Sequence, residues 1–190
     1  MANIAIYVHW PYCARICPYC DFNVYKQRLD VGLVQAICDD IKEQASWLGE
    51  RVLTSVHFGG GTPSLLSAEA IGQILNEIRT VYDIGPDCEI AIEANPQDAG
   101  PLIWRAYADV GINRLSLGVQ SFHDPALKLL GRDHSGEAAQ DALVQAVEIF
   151  SSVSLDLIWL DWSNQKLSTA GFRYRSGKRS AAYLSLSTHH

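Results

Sequence analysis

The sequence lacks an excess of positive charge, a long apolar run and an even number of cysteines, and each absence excludes something. Lys and Arg number 15 against 21 Asp and Glu, a formal net charge of −6. A broad nucleic-acid surface needs a basic face, so nucleic acid is not an expected partner. No apolar stretch approaches the roughly 20 residues that cross a bilayer, so no transmembrane segment is expected. The opening "MANIAIYVHW" has neither the basic start nor the apolar core of a secretory leader. The expected compartment is the cytosol, where thiols stay reduced. Five cysteines cannot all pair. In a reducing compartment a clustered set reads as metal-binding or catalytic rather than as a disulfide framework. What remains is ordinary globular composition, 48% hydrophobic and 19% charged over 190 residues, enough for one domain with a sizeable core.

Short β-rich runs alternate with longer amphipathic ones. Strands are expected at 4–10, 54–58, 88–94, 114–120 and 153–159, and helices at 33–48, 67–82, 101–111 and 136–150. The first helix places Leu33, Ile37, Ile41, Ala45 and Leu48 on one face. The second places Ile71, Ile74, Leu75, Ile78 and Tyr82, with Ser67 as cap and Glu69 in the first turn. Gly111 can close the third. A βα rhythm of about 30 to 35 residues means parallel strands joined by right-handed crossovers. Periodicity alone leaves open a doubly wound sheet or a (βα) barrel. In both, ligands gather at the C-terminal strand ends. The unusual residues lie there: a cysteine loop after the first strand, "GGGTP" after the second, "EANP" after the third and "QSF" after the fourth.

Cys13, Cys17 and Cys20 stand in C-x-x-x-C-x-x-C spacing, so one loop can present three thiolates to one centre. A closed zinc site wants four ligands, usually from C-x-x-C pairs. Three thiolates can instead hold three irons of a [4Fe–4S] cluster and leave the fourth iron open. Cys38, on an amphipathic helix, reads as a small buried apolar residue. His9 and His134 are lone histidines, more often satisfied polar groups than ligands.

The cysteine spacing followed by "GGGTP" resembles the radical S-adenosylmethionine (SAM) superfamily. "YVHWPYCARICPYCDF", "HFGGGTPSLL", "IEANP", "RLSLGVQSF" and "LGRDHS" together resemble its oxygen-independent coproporphyrinogen III oxidase group, from about Ile4 to Ile158. The resemblance implies an α/β fold, a partial (βα)₆ barrel of parallel strands truncated near the fifth or sixth unit. It implies that Cys13, Cys17 and Cys20 ligate the cluster and that SAM chelates the open iron. Tyr7 and the backbone near Tyr19 would line the SAM pocket. Gly60, Gly61 and Thr62 would approach its amino-acid end, and Glu93 its ribose. Gln120, Arg132 and Asp156 match positions that the oxidase associates with a second SAM; an Arg132–Asp156 ion pair is the structural alternative. The chemistry implied is reductive cleavage of SAM, and no catalytic side chain is assigned. In the oxidases a fourth cysteine usually follows as C-x-x-C-x-C. "CPYCDF" places Asp21 and Phe22 there, as in relatives regarded as heme chaperones, which carry heme to respiratory hemoproteins. A chaperone with heme or porphyrin as cargo is therefore the expected function. The oxidase is the alternative, and a non-enzymatic zinc-binding module the second. After "LDLI" the family continues close to "GLPGQT", whereas this text reads "WLDWSNQKLSTAG". The expected organisation is a core over 1–159, an atypical tail over 160–190 with a strand at 181–187, and no C-terminal domain.

Overall fold

Parallel strands and covering helices alternate along the chain, as the hydrophobic rhythm requires. The structure, a computed structural model, describes residues 2–26, 32–98, 100–159 and 181–188. Strand β1 (Ala2–Trp10) runs into a loop pinched by two short strands, β2 (Tyr12–Cys13) and β3 (Tyr25–Lys26). Then come α1 (Leu33–Leu48), β4 (Arg51–Gly60), α2 (Ala68–Val81), β5 (Asp83–Ala94), α3 (Pro101–Val110) and β6 (Arg114–Gln120). They are followed by α4 (Asp124–Leu129), α5 (Gly136–Ile149), β7 (Ser152–Trp159) and β8 (Ala181–Thr188).

The main sheet has the order β1-β4-β5-β6-β7-β8, and every adjacent pair is parallel. Each strand lies beside its predecessor, so the order never reverses. A doubly wound sheet requires such a reversal and is excluded. The helices form a matching series, with α1 against α2, α2 against α3 and α3 against α5. This is part of a (βα) barrel. The strand expected at 181–187 is present and pairs with β7 along its length. The divergent stretch at 160–180 lies outside the described residues, as does the His189–His190 pair.

Strand faces sort cleanly. Val8, Leu53, Val56, Phe58, Ile90, Ile92, Leu115, Leu117, Val119, Val153 and Leu155 are buried in the core beneath the helices. The stripe expected on α2 supplies the other side of that core: Ile71, Ile74, Leu75 and Ile78 are fully buried. Burying one such side chain contributes about 1.5–3 kcal/mol. Ser67 caps α2 by accepting a hydrogen bond from the Ala70 amide at 3.2 Å, and Gly111 ends α3 in the left-handed region. On α1 the buried pair is Cys38 and Ile41, while Leu48 is exposed, so the stripe ends one turn early. The opposite, concave face of the sheet carries Tyr7, His57, Glu93, Arg114, Ser116, Gln120 and Asp156 at alternating positions.

Candidate functional site

The cysteine loop is built by local hydrogen bonding. β2 and β3 pair through Tyr12↔Tyr25 and Cys13↔Lys26, and the Tyr25 amide donates to the Pro11 carbonyl at 2.8 Å. Within the loop the Cys20 amide donates to the Cys17 carbonyl at 3.1 Å, folding "CPYC" into a turn. The loop is tied to the end of β4 by two bonds. The Gly61 amide donates to Trp10 O at 2.6 Å and the Thr62 amide to Tyr12 O at 2.8 Å. A Cβ at Gly61 would lie 2.6 Å from the Tyr12 carbonyl oxygen, so glycine is required for this crossing. Close approach to a ligand is thus not the only reason for the glycine run; the chain's own backbone needs the room.

The other strand ends complete a cavity of about 460 Å³, within the range of small-molecule sites. Eleven of the twelve residues singled out from the sequence line it: Cys13, Cys17, Tyr19, Cys20, Gly60, Gly61, Thr62, Glu93, Gln120, Arg132 and Asp156. The twelfth, Tyr7, is exposed and does not. Its ring stacks on His57 with centroids 5.7 Å apart and planes 10° apart. His57 Nε2 lies 2.8 Å from Glu93 Oε1, and since a carboxylate only accepts, the ring nitrogen donates. Tyr7 therefore reaches the cavity indirectly, as the support of the histidine that orients Glu93. Asp21 and Phe22, in place of a fourth cysteine, also line the cavity.

Arg132 is the most connected of these side chains. Nη1 lies 3.4 Å from Cys17 Sγ and 3.5 Å from the Tyr19 hydroxyl, and Nη2 donates to Asn95 Oδ1 at 2.6 Å and Gly118 O at 3.0 Å. The Arg132–Asp156 ion pair is not among the ion pairs of the described residues, which are Lys42–Glu77, His57–Glu93 and Arg114–Glu89. Asp156 ends a chain of donors instead. Arg114 Nη2 lies 3.5 Å from Ser154 Oγ, Ser154 Oγ donates to Ser116 Oγ at 2.9 Å, and Ser116 Oγ donates to Asp156 Oδ2 at 3.2 Å. Gln120 adopts φ 64°, a left-handed backbone that costs a non-glycine residue about 1 kcal/mol. His134 holds the carbonyl before it, with Nε2 3.0 Å from Val119 O. His134 is buried and does not line the cavity; its Nε2 has a partner, while Nδ1 is buried without one.

Burial pushes the Cys13 thiol up, opposed by a hydrogen bond with Thr62. Burial likewise pushes the Tyr19 phenol up to about 12, with Arg132 pulling it back. Asp156 is raised above the usual carboxylate range by burial, and the Glu93 charge adds to this; the Ser116 hydroxyl, Arg114 and His57 pull it down. Among the described residues, no three His, Cys, Asp or Glu side chains converge as they would around a single metal ion. Zinc would draw four ligands to one point. Thiolates of an iron–sulfur cluster bind separate irons, so three sulfurs lining one mouth, with a guanidinium beside them, suit a cluster better.

Sequence reasoning missed His57, Asn95, Arg114, Ser116 and Ser154. The signal was present in "RLSLGVQ", where Leu115, Leu117 and Val119 alternate with Arg114, Ser116 and Gln120. Strands buried on both faces read as continuous apolar runs. Alternation in a parallel sheet marks a face turned to a polar cavity.

Comparison with known proteins places these features in context. The family model described as Radical SAM superfamily matches residues 7–161. The Heme chaperone HemW of Haemophilus influenzae is 39% identical over 163 residues, covering 82% of this chain and 43% of that protein. The mitochondrial Radical S-adenosyl methionine domain-containing protein 1 of Bos taurus is 40% identical over 157 residues, covering 81% of this chain and 36% of that protein. The solved coproporphyrinogen III oxidase HemN of Escherichia coli, described as a radical SAM enzyme, superposes with a TM-score of 0.74 at 30% identity. That match covers 83% of this chain and 37% of the oxidase. The chain thus spans about two fifths of the length of the proteins it matches.

Proposed function

The chain belongs to the radical SAM superfamily, and on that premise we propose that it is the cluster- and SAM-binding core of a heme chaperone. What carries this reading is that three thiols of one loop share a single cavity with a glycine turn, a carboxylate and a guanidinium at parallel strand ends. Cys13, Cys17 and Cys20 hold a [4Fe–4S] cluster. When bound, cluster and SAM supply a one-electron reductive cleavage, chemistry that belongs to the cofactors. The chain's part is to bind, orient and exclude water. Gly60, Gly61 and Thr62 receive the amino-acid end of SAM. Glu93, held by His57 through one oxygen, offers the other to ribose hydroxyls. Gln120 and Asp156 bound the far side, and Tyr19 shields the cysteine loop. The radical SAM core is assigned to 1–159, with 160–190 as a divergent segment, and the compartment to the cytoplasm. No helix of the described residues is long and apolar enough to cross a membrane.

The chaperone assignment, with heme as cargo and respiratory hemoproteins as recipients, is supported by the names of the relatives and by Asp21 and Phe22 at the cavity. The test is anaerobic iron–sulfur reconstitution followed by EPR with and without SAM, then heme titration. Iron and sulfide near cluster stoichiometry and a spectrum altered by SAM are expected, with a saturable Soret shift on adding heme. Zinc alone, or an unchanged spectrum, sinks the cluster assignment; no Soret saturation sinks the cargo. The structural match to HemN favours coproporphyrinogen oxidase as a second reading. It requires SAM-dependent formation of the vinyl product, assayed in the same preparation.

A further inference from the structure

Gln120 stands in a backbone turn that its surroundings must hold. Its φ is 64°, and among the described residues no other non-glycine residue has a positive φ. The Ser121 amide donates to the Val119 carbonyl at 2.8 Å, two residues back. A hydrogen bond of that span around a positive φ is the rare, strained form of the γ-turn. Such strain persists only where neighbouring contacts enforce it. The turn coincides with the shift in β6–β7 register between Leu117 and Gln120, and it sets Gln120 at the cavity. The side chain runs back over Gly118, where a Cβ would lie 3.2 Å from Gln120 Nε2.

The same Val119 carbonyl receives His134, whose Nε2 is 3.0 Å away. A carbonyl only accepts, so Nε2 carries the hydrogen. Burial and the nearby Arg132 charge push the His134 pKa down, against the Val119 hydrogen bond and the Asp133 charge. The ring is therefore neutral at pH 7, and Nδ1 keeps a lone pair that is buried without a partner. An unsatisfied nitrogen is costly in the interior, so packing alone does not account for a histidine here. We infer that His134 is the positioning residue of the cavity's far side: its hydrogen bond to Val119 locks the strained turn that presents Gln120 to SAM. His134 does not line the cavity and acts only through that turn. The inference rests on the SAM-site reading above.

His134 is itself anchored by the start of α5. Ser135, next to it, accepts from the Ala138 amide at 3.1 Å, and the Gly136 amide donates to Asp124 Oδ1 at 2.8 Å. The Phe122 carbonyl leaves no room for a Cβ at Gly136, so the two ends of the segment are locked together there. Arg132, on the same segment, has a separate backbone support. Its amide donates to the Leu127 carbonyl at 2.9 Å, and the Gly131 amide to the Lys128 carbonyl at 3.2 Å, at the end of α4. Loss of the His134 donor therefore falls on Gln120.

The experiment uses the full chain, as wild type, His134→Leu, His134→Gln, His134→Asn, Gln120→Gly and the double variant His134→Leu with Gln120→Gly. Glutamine brings an amide N–H near the Nε2 position, and asparagine falls short of it. After anaerobic reconstitution, iron and sulfide content come first, then SAM affinity by equilibrium dialysis. His134→Leu and Gln120→Gly should each lose about tenfold in affinity at unchanged iron and sulfide, and the double variant should lose no more than about twofold beyond Gln120→Gly. His134→Gln should stay within about threefold of wild type, and His134→Asn should not. Wild-type affinity in His134→Leu or in Gln120→Gly overturns the inference, as do losses that multiply in the double variant. If His134→Leu does not fold, equal affinities in His134→Gln and His134→Asn overturn it. Melting of the cluster-free proteins supplies a readout without ligand. Gln120→Gly should raise the melting temperature of wild type, and raise it less in the His134→Leu background; equal gains in both mean that His134 does not hold the turn. A wild type that takes up no iron and sulfide, or binds no SAM, removes the SAM-site reading instead, and the melting comparison then decides the role of His134.

Discussion

Asp156 has a carboxyl that the fold holds at a cost. Burial raises its pKa above the usual range, and the hydrogen bond from Ser116 and the charges of Arg114 and His57 offset only part of this. The linkage sign is that of a raised acid. The folded state binds the proton more tightly, so stability is lost as pH climbs from the ordinary carboxylate range through the raised pKa. Asp156→Asn keeps an oxygen for Ser116 and removes the charge. The variant should therefore melt about 2 °C above wild type at pH 8, and the gain should shrink as pH falls toward the ordinary carboxylate range. Melting curves across that interval check it; a difference independent of pH rejects the burial argument. At this scale the sequence was informative where residues sat in motifs, as the cysteines, Glu93 and Gln120 did. It was silent on Tyr7 acting through His57, because a stacking contact between β1 and β4 depends on strand register. It was silent too on Arg132 meeting Cys17, a contact between residues 115 positions apart.

Helix ends and strand faces follow local rules, and most of them were readable. Ser67 stands at the start of α2, with its side chain on the Ala70 amide. Removing that acceptor leaves an amide to water, so Ser67→Ala should cost about 1 kcal/mol. Urea unfolding would show a lower midpoint with an unchanged slope; no shift would mean the cap is redundant. Helix α4 was not anticipated. Its six residues, Asp124–Leu129 with Pro125 in the first turn, are too few to show a periodic stripe. β4 and β5 begin earlier than the apolar runs, at Arg51 and Asp83, because sheet pairing recruits residues of low strand propensity once a neighbour is in place.

For the molecule as a whole, neighbour-to-neighbour strand order decides which parts are best protected. β4, β5, β6 and β7 are paired on both edges, while β1 and β8 each have one partner among the described residues. Amide exchange followed by mass spectrometry should find the slowest protons in those four inner strands and faster exchange in Ala2–Trp10. The reverse order would contradict the sheet assignment. The strand rhythm predicted parallel pairing but could not separate a barrel segment from a doubly wound sheet, since both repeat βα. Only the spatial order of the strands distinguishes them.

The clamp on the cysteine loop also has a consequence for biosynthesis. On the ribosome the thiols are made first, and the guanidinium that covers one of them follows 115 residues later. Until that later segment emerges the nascent loop lacks this contact, so a chain halted before residue 132 would carry the cysteines without their guanidinium cover.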